Sequence, residues 1–313
     1  MIRIGISACV LGNPVRFDGG HKRSDFVSNE LSRHFNFLPI CPEQAIGMGI
    51  PRPTIRLVGD PDSPSVVGSK DSSINVTEQL SLYSKTTVSN LPDIAGYLLC
   101  AKSPTCGMER VPVYGENGLS KGKLGVGVFA RILMTAHPNL PIEEDGRLND
   151  PLLRENFVMR VIAYHQWLTL SAAQITAQTL QQFHRQHKFL LLAHEPKTYR
   201  DLGPVVAAVT ADNINETSEH YIRQFMAGLK KPASRKNHTN VLMHIQGFFK
   251  KHLVSKERQE LADLIEQYRK GYAPLMAPLT LINHFLQRYP DSYLQEQSYL
   301  SPYPHDLKLR YGL

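Results

Sequence analysis

Apolar and polar positions change period along this chain. Near the N-terminus, Arg3–Val10 alternates weakly and is rich in β-formers, which predicts a first strand. Short apolar runs at Phe37–Ile40, Thr54–Val58 and Gly96–Ala101 predict further strands, and Ser65–Val67 is a candidate for another. Between them lie helical stretches. Ser24 is placed to cap a helix from Asp25 to Phe35, a second starts at Asn75 or Thr77 and runs to about Asn90, and Leu119–Lys123 opens a third over Gly125–Ala136, stopped by Pro138. Strands alternating with helices predict an α/β domain, a doubly wound, mostly parallel, Rossmann-like sheet.

Pro138–Pro151 is rich in Pro, Gly and acids and reads as a linker, dividing the chain into residues 1–147 and 148–313. After it the period is helical. Phe157, Val161, Tyr164 and Leu168 share a face; helices follow over Thr176–Ala193, Glu216–Leu229, a stretch capped by Ser234, Ser255–Tyr268 and Leu275–Tyr289. The second domain is therefore predicted to be all-α, with a Tyr- and Pro-rich tail, Gln297–Leu313, packing without regular structure.

At 313 residues the chain is long enough for two cores. No apolar run approaches the length of a membrane span. Ile6-Ser7-Ala8-Cys9 superficially resembles a lipoprotein cleavage site, but the apolar stretch before it is too short for a signal sequence. The reading is a cytoplasmic, reducing compartment, where cysteines bind metals or react rather than forming disulfide frameworks. Charge is uneven. Residues 1–150 hold 15 basic and 15 acidic side chains; the remainder hold 20 and 13, so the net +7 belongs to the second half. Either that half meets a polyanion, or it is simply basic.

Cys9, Cys41 and Cys106 each follow a predicted strand, and the carboxyl edge of such a sheet is where ligands bind. Three soft ligands at one edge point to zinc, copper(I) or an iron–sulfur cluster with one position open, although free cysteines are also common core residues. Cys100 is read as lying inside its strand, where it either supplies a fourth ligand or packs in the sheet, and packing is favoured because a mid-strand side chain would not reach the edge. Glu43 and Ser103 neighbour the presumed ligands; one offers a proton, the other a hydroxyl, unless they serve a helix terminus and a turn. Arg16-Phe17-Asp18-Gly19 offers a cation, a ring and a carboxylate for a planar base, or else forms a local turn with its own ion pair. Lys230, Lys231, Arg235, Lys236, Lys250, Lys251, Lys256 and Arg258 cluster near the ends of the Ser234-capped helix, as phosphate-neutralising groups or as a solvated face.

Ser7-Ala8-Cys9-Val10-Leu11-Gly12 with Arg16–Gly19, Cys41-Pro42-Glu43, and Lys102-Ser103-Pro104-Thr105-Cys106-Gly107 together resemble the bacterial thiouracil desulfidase family over residues 1 to about 145. The rest resembles a helical domain often fused to it, an arrangement similar to that of bacterial two-domain tRNA 4-thiouridine desulfidases. The resemblance implies a 4Fe–4S cluster on Cys9, Cys41 and Cys106, a fourth iron that takes the substrate's sulfur, and Glu43 and Ser103 as catalytic residues. The implied reaction is non-redox hydrolysis of 4-thiouridine in tRNA to uridine and sulfide, with the cluster as Lewis acid and sulfur acceptor. Two positions depart from the family: Val15 stands where many relatives carry a cysteine, and Cys100 is extra. Rival readings are desulfuration of free thiouracil or thionucleosides, sulfur insertion into tRNA, which the lack of a P-loop disfavours, and a non-catalytic RNA-binding protein with a structural metal.

Overall fold

A computed structural model describes residues 1–310. The chain divides into two compact units, Met1–Asn149 and a second from Asp150 onward.

The first unit holds two four-stranded sheets rather than one. The larger is formed by β1 (Ile2–Ser7), β2 (Phe35–Ile40), β5 (Tyr97–Leu99) and β8 (Ile142–Glu144), in the order β2-β1-β5-β8. All its pairings are parallel. The strand order reverses beside β1, so the crevice outside the β1 and β5 carboxyl ends is the switch point of the sheet. The second sheet, β3 (Ile55–Val58), β4 (Ser65–Gly68), β6 (Val111–Tyr114) and β7 (Ser120–Gly125), is mixed, with order β4-β3-β6-β7. Leu57, Val66, Val111 and Val113 alternate onto its inner face and bury against Val76 and Leu80, the latter on helix α3 (Thr77–Ser89). Short helical turns α1 (Ala8–Leu11) and α2 (Pro42–Ala45) follow β1 and β2, and α4 (Val128–Ala136) packs beside α3.

Register decides what reaches the crevice. Ser7 lies opposite Ile40, and Ile6 opposite Leu98. Chain leaving β1, β2 and β5 therefore emerges level, with Cys9, Cys41 and Cys100 within two residues of the strand ends. Leu99 pairs with Glu144, which brings Asp145 alongside Cys100. Gly5 is needed for this: a Cβ there would lie 2.2 Å from the buried Tyr97 ring.

Several sequence expectations are corrected. Pro138–Pro151 is not a free linker, because Ile142–Glu144 is an edge strand and Glu143, Glu144 and Asp145 are buried. Their acids misled because each has a partner: Arg147 for Glu143, the Met108 N–H for Glu144, and Lys22 with the Ala101 N–H for Asp145. Ser120–Gly125 is a strand, not a helix start; Asn117-Gly118, with Gly118 at φ 77°, turns a hairpin between β6 and β7. The helix predicted over Asp25–Phe35 is cut short to irregular turns at Phe26–Arg33, because Phe35 is taken by pairing with Ile2.

The second unit is helical: α5 (Pro151–Ala172), α6 (Ala177–His194), α7 (Pro196–Ala207), α8 (Ile214–Leu229), α9 (Arg235–Phe248), α10 (Ser255–Lys270), α11 (Met276–Arg288) and the single turn α12 (Ser292–Gln295). Caps set the boundaries. Asp150, Thr176 and Ser234 each accept from first-turn amides. Pro196, which ends α6, is also the first residue of α7, a helix the sequence pattern did not reveal. Trp167, Phe183, Tyr221 and Phe225 interlock edge-to-face and stacked in the core. The tail is largely irregular but anchored. Arg310 pairs with Glu155 of α5 at 3.2 Å and donates to the Tyr299 carbonyl, while the Tyr303 hydroxyl also donates to Glu155. The last three residues of the predicted tail lie outside the described residues. No described helix is long and apolar enough to cross a membrane.

Candidate active site

The carboxyl edge of the parallel sheet opens into a cavity of about 410 Å³. Cys9, Cys41, Cys100 and Cys106 all line it, with Glu43, Ser103 and Arg16. Cys9 stands in the α1 turn that follows β1 and is closed by Gly12 at φ 109°. Cys41 is the residue before α2, whose first turn carries Glu43.

Cys106 depends on a clamped loop. The Ser103 hydroxyl oxygen accepts from the Thr105 and Cys106 amides at 3.2 and 3.0 Å, and the Ser103 carbonyl accepts from the Gly107 N–H at 2.8 Å. Carbonyls of Pro104, Thr105 and Gly107 then accept from amides at the start of α4, so the loop satisfies a helix end that would otherwise leave donors unpaired. This close approach requires glycine at 127, where a Cβ would lie 2.5 Å from the Thr105 backbone. Ser103 therefore builds the loop as well as facing the cavity, and its own O–H remains able to donate.

Cys100 departs from the sequence reading. It is not within β5, which ends at Leu99; it lies past the strand end and on the cavity wall. Two side chains draw the backbone out of the ladder: the Ser7 hydroxyl accepts from the Cys100 N–H at 3.0 Å, and Asp145 accepts from the Ala101 N–H at 2.8 Å. Asp145 also holds Lys22 at 2.9 Å, which places an ammonium near the Cys9–Cys100 pair.

The thiols are electrically linked. A hydrogen bond to Cys100, then burial, raises the Cys9 thiol, while Cys100 is lowered, first by that bond and also by Lys22. Burial raises Cys106 well above the usual thiol range, partly opposed by a hydrogen bond to Ser7, and raises Cys41, helped by the Glu43 charge. Most of these sulfurs thus hold protons until a cation replaces them. Cys41 lies 3.5 Å from Glu43 Oε2, and Arg52, largely buried, reaches the same oxygen at 4.0 Å. Glu43 is nearly enclosed, at 12% exposure. The thiols are spread around the cavity: among the described residues no three His, Cys, Asp or Glu side chains converge on one point as a single ion needs.

Arg16 and Phe17 line the mouth, the guanidinium 5.5 Å from the ring centroid. Asp18 is not among the lining residues; it is half exposed, accepts from the Gly20 amide and lies 3.8 Å from Arg16. Val15 also lines the cavity. In the sequence Ser7 stands out only as part of a motif, and Lys22, Arg52 and Asp145 do not stand out as site residues; Ser7, Lys22 and Asp145 act through long-range contacts that no local spacing announces. In the helical unit, Lys230, Lys231, Arg235, Lys236, Lys250 and Lys251 are exposed. Two are engaged: Lys231 pairs with Glu195, and Arg235 donates to the Tyr268 carbonyl while standing over its ring.

Comparison with known proteins agrees with this division. Residues 4–145 match the family described as 2-thiouracil desulfurase, and residues 188–304 match a protein family of unknown function, DUF1722. The uncharacterized protein YbgA of Escherichia coli (strain K12) is 39% identical over 159 residues, covering 50% of this chain and 94% of that protein. A solved structure described as the [4Fe-4S]-dependent thiouracil desulfidase TudS shares 26% identity, covering 48% of this chain and 94% of the other, with a TM-score of 0.37. The chain belongs to the family of YbgA, with an enzyme domain of the 2-thiouracil desulfurase family at its N-terminus and a DUF1722 domain after it.

Proposed function

We propose that the protein is an iron–sulfur-dependent desulfidase that hydrolyses a thiolated pyrimidine to the oxo-pyrimidine and sulfide. The observation that carries the reading is the gathering of Cys9, Cys41 and Cys106 on one cavity with Glu43 beside them. The donor set fits a 4Fe–4S cluster: its soft ligands are thiols distributed around a space rather than converging on a point, and Lys22 and Arg52 add positive charge where thiolates form. Cys9, Cys41 and Cys106 would hold the cluster. Bound there, it supplies a thiophilic Lewis acid for the substrate's sulfur.

The chain's own residues would do the rest. Phe17 offers a ring face to the pyrimidine, and Arg16 a donor to its carbonyl edge. Glu43, shielded from solvent and steadied by Arg52, takes a proton from the attacking water. The Ser103 O–H donates to the reacting edge while its oxygen stays bound to the loop amides.

Protein purified without oxygen should contain iron and acid-labile sulfide and bleach the near-UV band of thiouracil. Zinc without iron or sulfide would overturn the reading in favour of a structural metal. The finer substrate we propose is 4-thiouridine in tRNA, supported by the excess of basic residues in the helical half and the exposure of Lys230, Lys236, Lys250 and Lys251. Lys250→Glu with Lys251→Glu should slow turnover of thiolated tRNA and spare the free thionucleoside. Equal effects on both would remove tRNA from the proposal and leave the free base or nucleoside.

A further inference from the structure

The helical unit has a cavity of its own, about 310 Å³, walled by α6 and α7. Its lining combines His184, Arg185 and Lys188 of α6 with Tyr199 and Arg200 of α7, and among the described residues it includes no carboxylate. Glu296 lies 3.7 Å from Arg185, and the charge of Asp291 is felt at Tyr293. Arg185 and Lys188 share one aromatic neighbour, lying 5.3 and 4.8 Å from the centroid of the Tyr293 ring. Two cations held over one ring and a third across the cleft repel one another. The Lys188 ammonium is lowered by burial and by Arg185, so the crowding is felt in the protein alone. These two acids, neither of them in the lining, do not balance three cations. A bound anion would.

We propose that this cavity binds a phosphate group. Arginine gives planar paired donors, lysine gives a compact charge, and together they suit a phosphate oxygen triad better than a single carboxylate. The volume is at the lower end of ordinary ligand sites, roughly 300–1,000 Å³, which is ample for a phosphate with part of a sugar. Tyr199 on the wall offers a surface for that remainder. The phosphate could belong to a nucleic-acid strand or to a small free phosphate ester; the chemistry recognised is the same.

The full chain should be titrated calorimetrically in low-salt chloride buffer with inorganic phosphate and with a 5′-phosphorylated uridine trinucleotide. Both should bind. Lys188→Gln and Arg200→Gln should each weaken binding roughly tenfold, the loss expected for one charged hydrogen bond, while Lys250→Glu with Lys251→Glu leaves inorganic phosphate affinity unchanged. Arg200 is exposed, so its replacement disturbs no core, and circular dichroism checks the Lys188 variant. A trinucleotide that binds much more tightly than phosphate assigns the site to a nucleic-acid strand, and equal affinities assign it to a small ester. Absence of phosphate binding, or binding that neither variant weakens, overturns the proposal. The readout needs no iron, so its failure is separate from failure of the desulfidase reading.

Discussion

Glu43 and Cys41 are two residues apart and share one small space, yet their proposed tasks differ: one moves a proton, the other holds metal. Glu43→Ala should therefore keep iron and sulfide while lowering turnover of thiouracil by about 10²–10⁴, the usual contribution of a positioned acid–base group. Normal turnover in that variant would remove Glu43 from catalysis. Cys9→Ser, Cys41→Ser and Cys106→Ser should each reduce iron content. Cys100 is the instructive contrast, because its thiol is bonded to Cys9 and its backbone to Ser7. Cys100→Ser retains a hydrogen-bonding group there, and iron content should be unchanged. Loss of iron in that variant would mean that Cys100 completes the site and that no corner stays open.

At the scale of elements, the site depends on how loops are fastened to their neighbours. The Ser103–Gly107 loop is tied to α4 by backbone bonds that tolerate no side chain at position 127. Gly127→Ala should destabilise the first unit by about 1–3 kcal/mol, as overpacking does, and should lower iron content because Cys106 moves with the loop; a melt and an iron assay check both. The carboxyl end of β8 is fastened too. Asp145 joins Ala101 and Lys22, so Asp145→Ala leaves a half-buried amide unpaired and an ammonium uncompensated, at a cost of about 1–3 kcal/mol. These fastenings explain what could be read from sequence at this scale. The cysteine motifs announced themselves, because a strand followed by a polar turn is a local pattern. Cys100 did not, since its exit from β5 is caused by Ser7, 93 residues away, and Asp145, 44 residues from Ala101. β7 had a local signal, Asn117-Gly118, that the apparent helix start at Leu119–Lys123 obscured.

Across the molecule, the histidines make acid the weak condition of the helical unit. Burial holds His184 and His187 down to about 4 and also lowers His194 and His238. Unfolding restores each to its ordinary range near 6.5. Between about pH 6.5 and 4 the unfolded chain therefore binds more protons than the folded one, so stability falls as pH falls through that window. For the buried His187 alone the loss is on the order of 3 kcal/mol. Urea midpoints for the helical unit should drop steadily from pH 7 to pH 5, and a midpoint independent of pH would contradict this account.

Local sequence carried the alternation of strands and helices, the Ser234 cap, the change to an all-helical second half and the three cysteine motifs, because these depend on neighbours within a few residues. Tertiary structure alone decided that the sheet is two sheets, that an acid-rich stretch is a buried strand, that Cys100 joins the other thiols and Asp18 stays outside the cavity, and that three cations surround a cleft between α6 and α7. Each of those outcomes is set by register or by a partner distant in the chain, and such energies have no local periodicity to betray them.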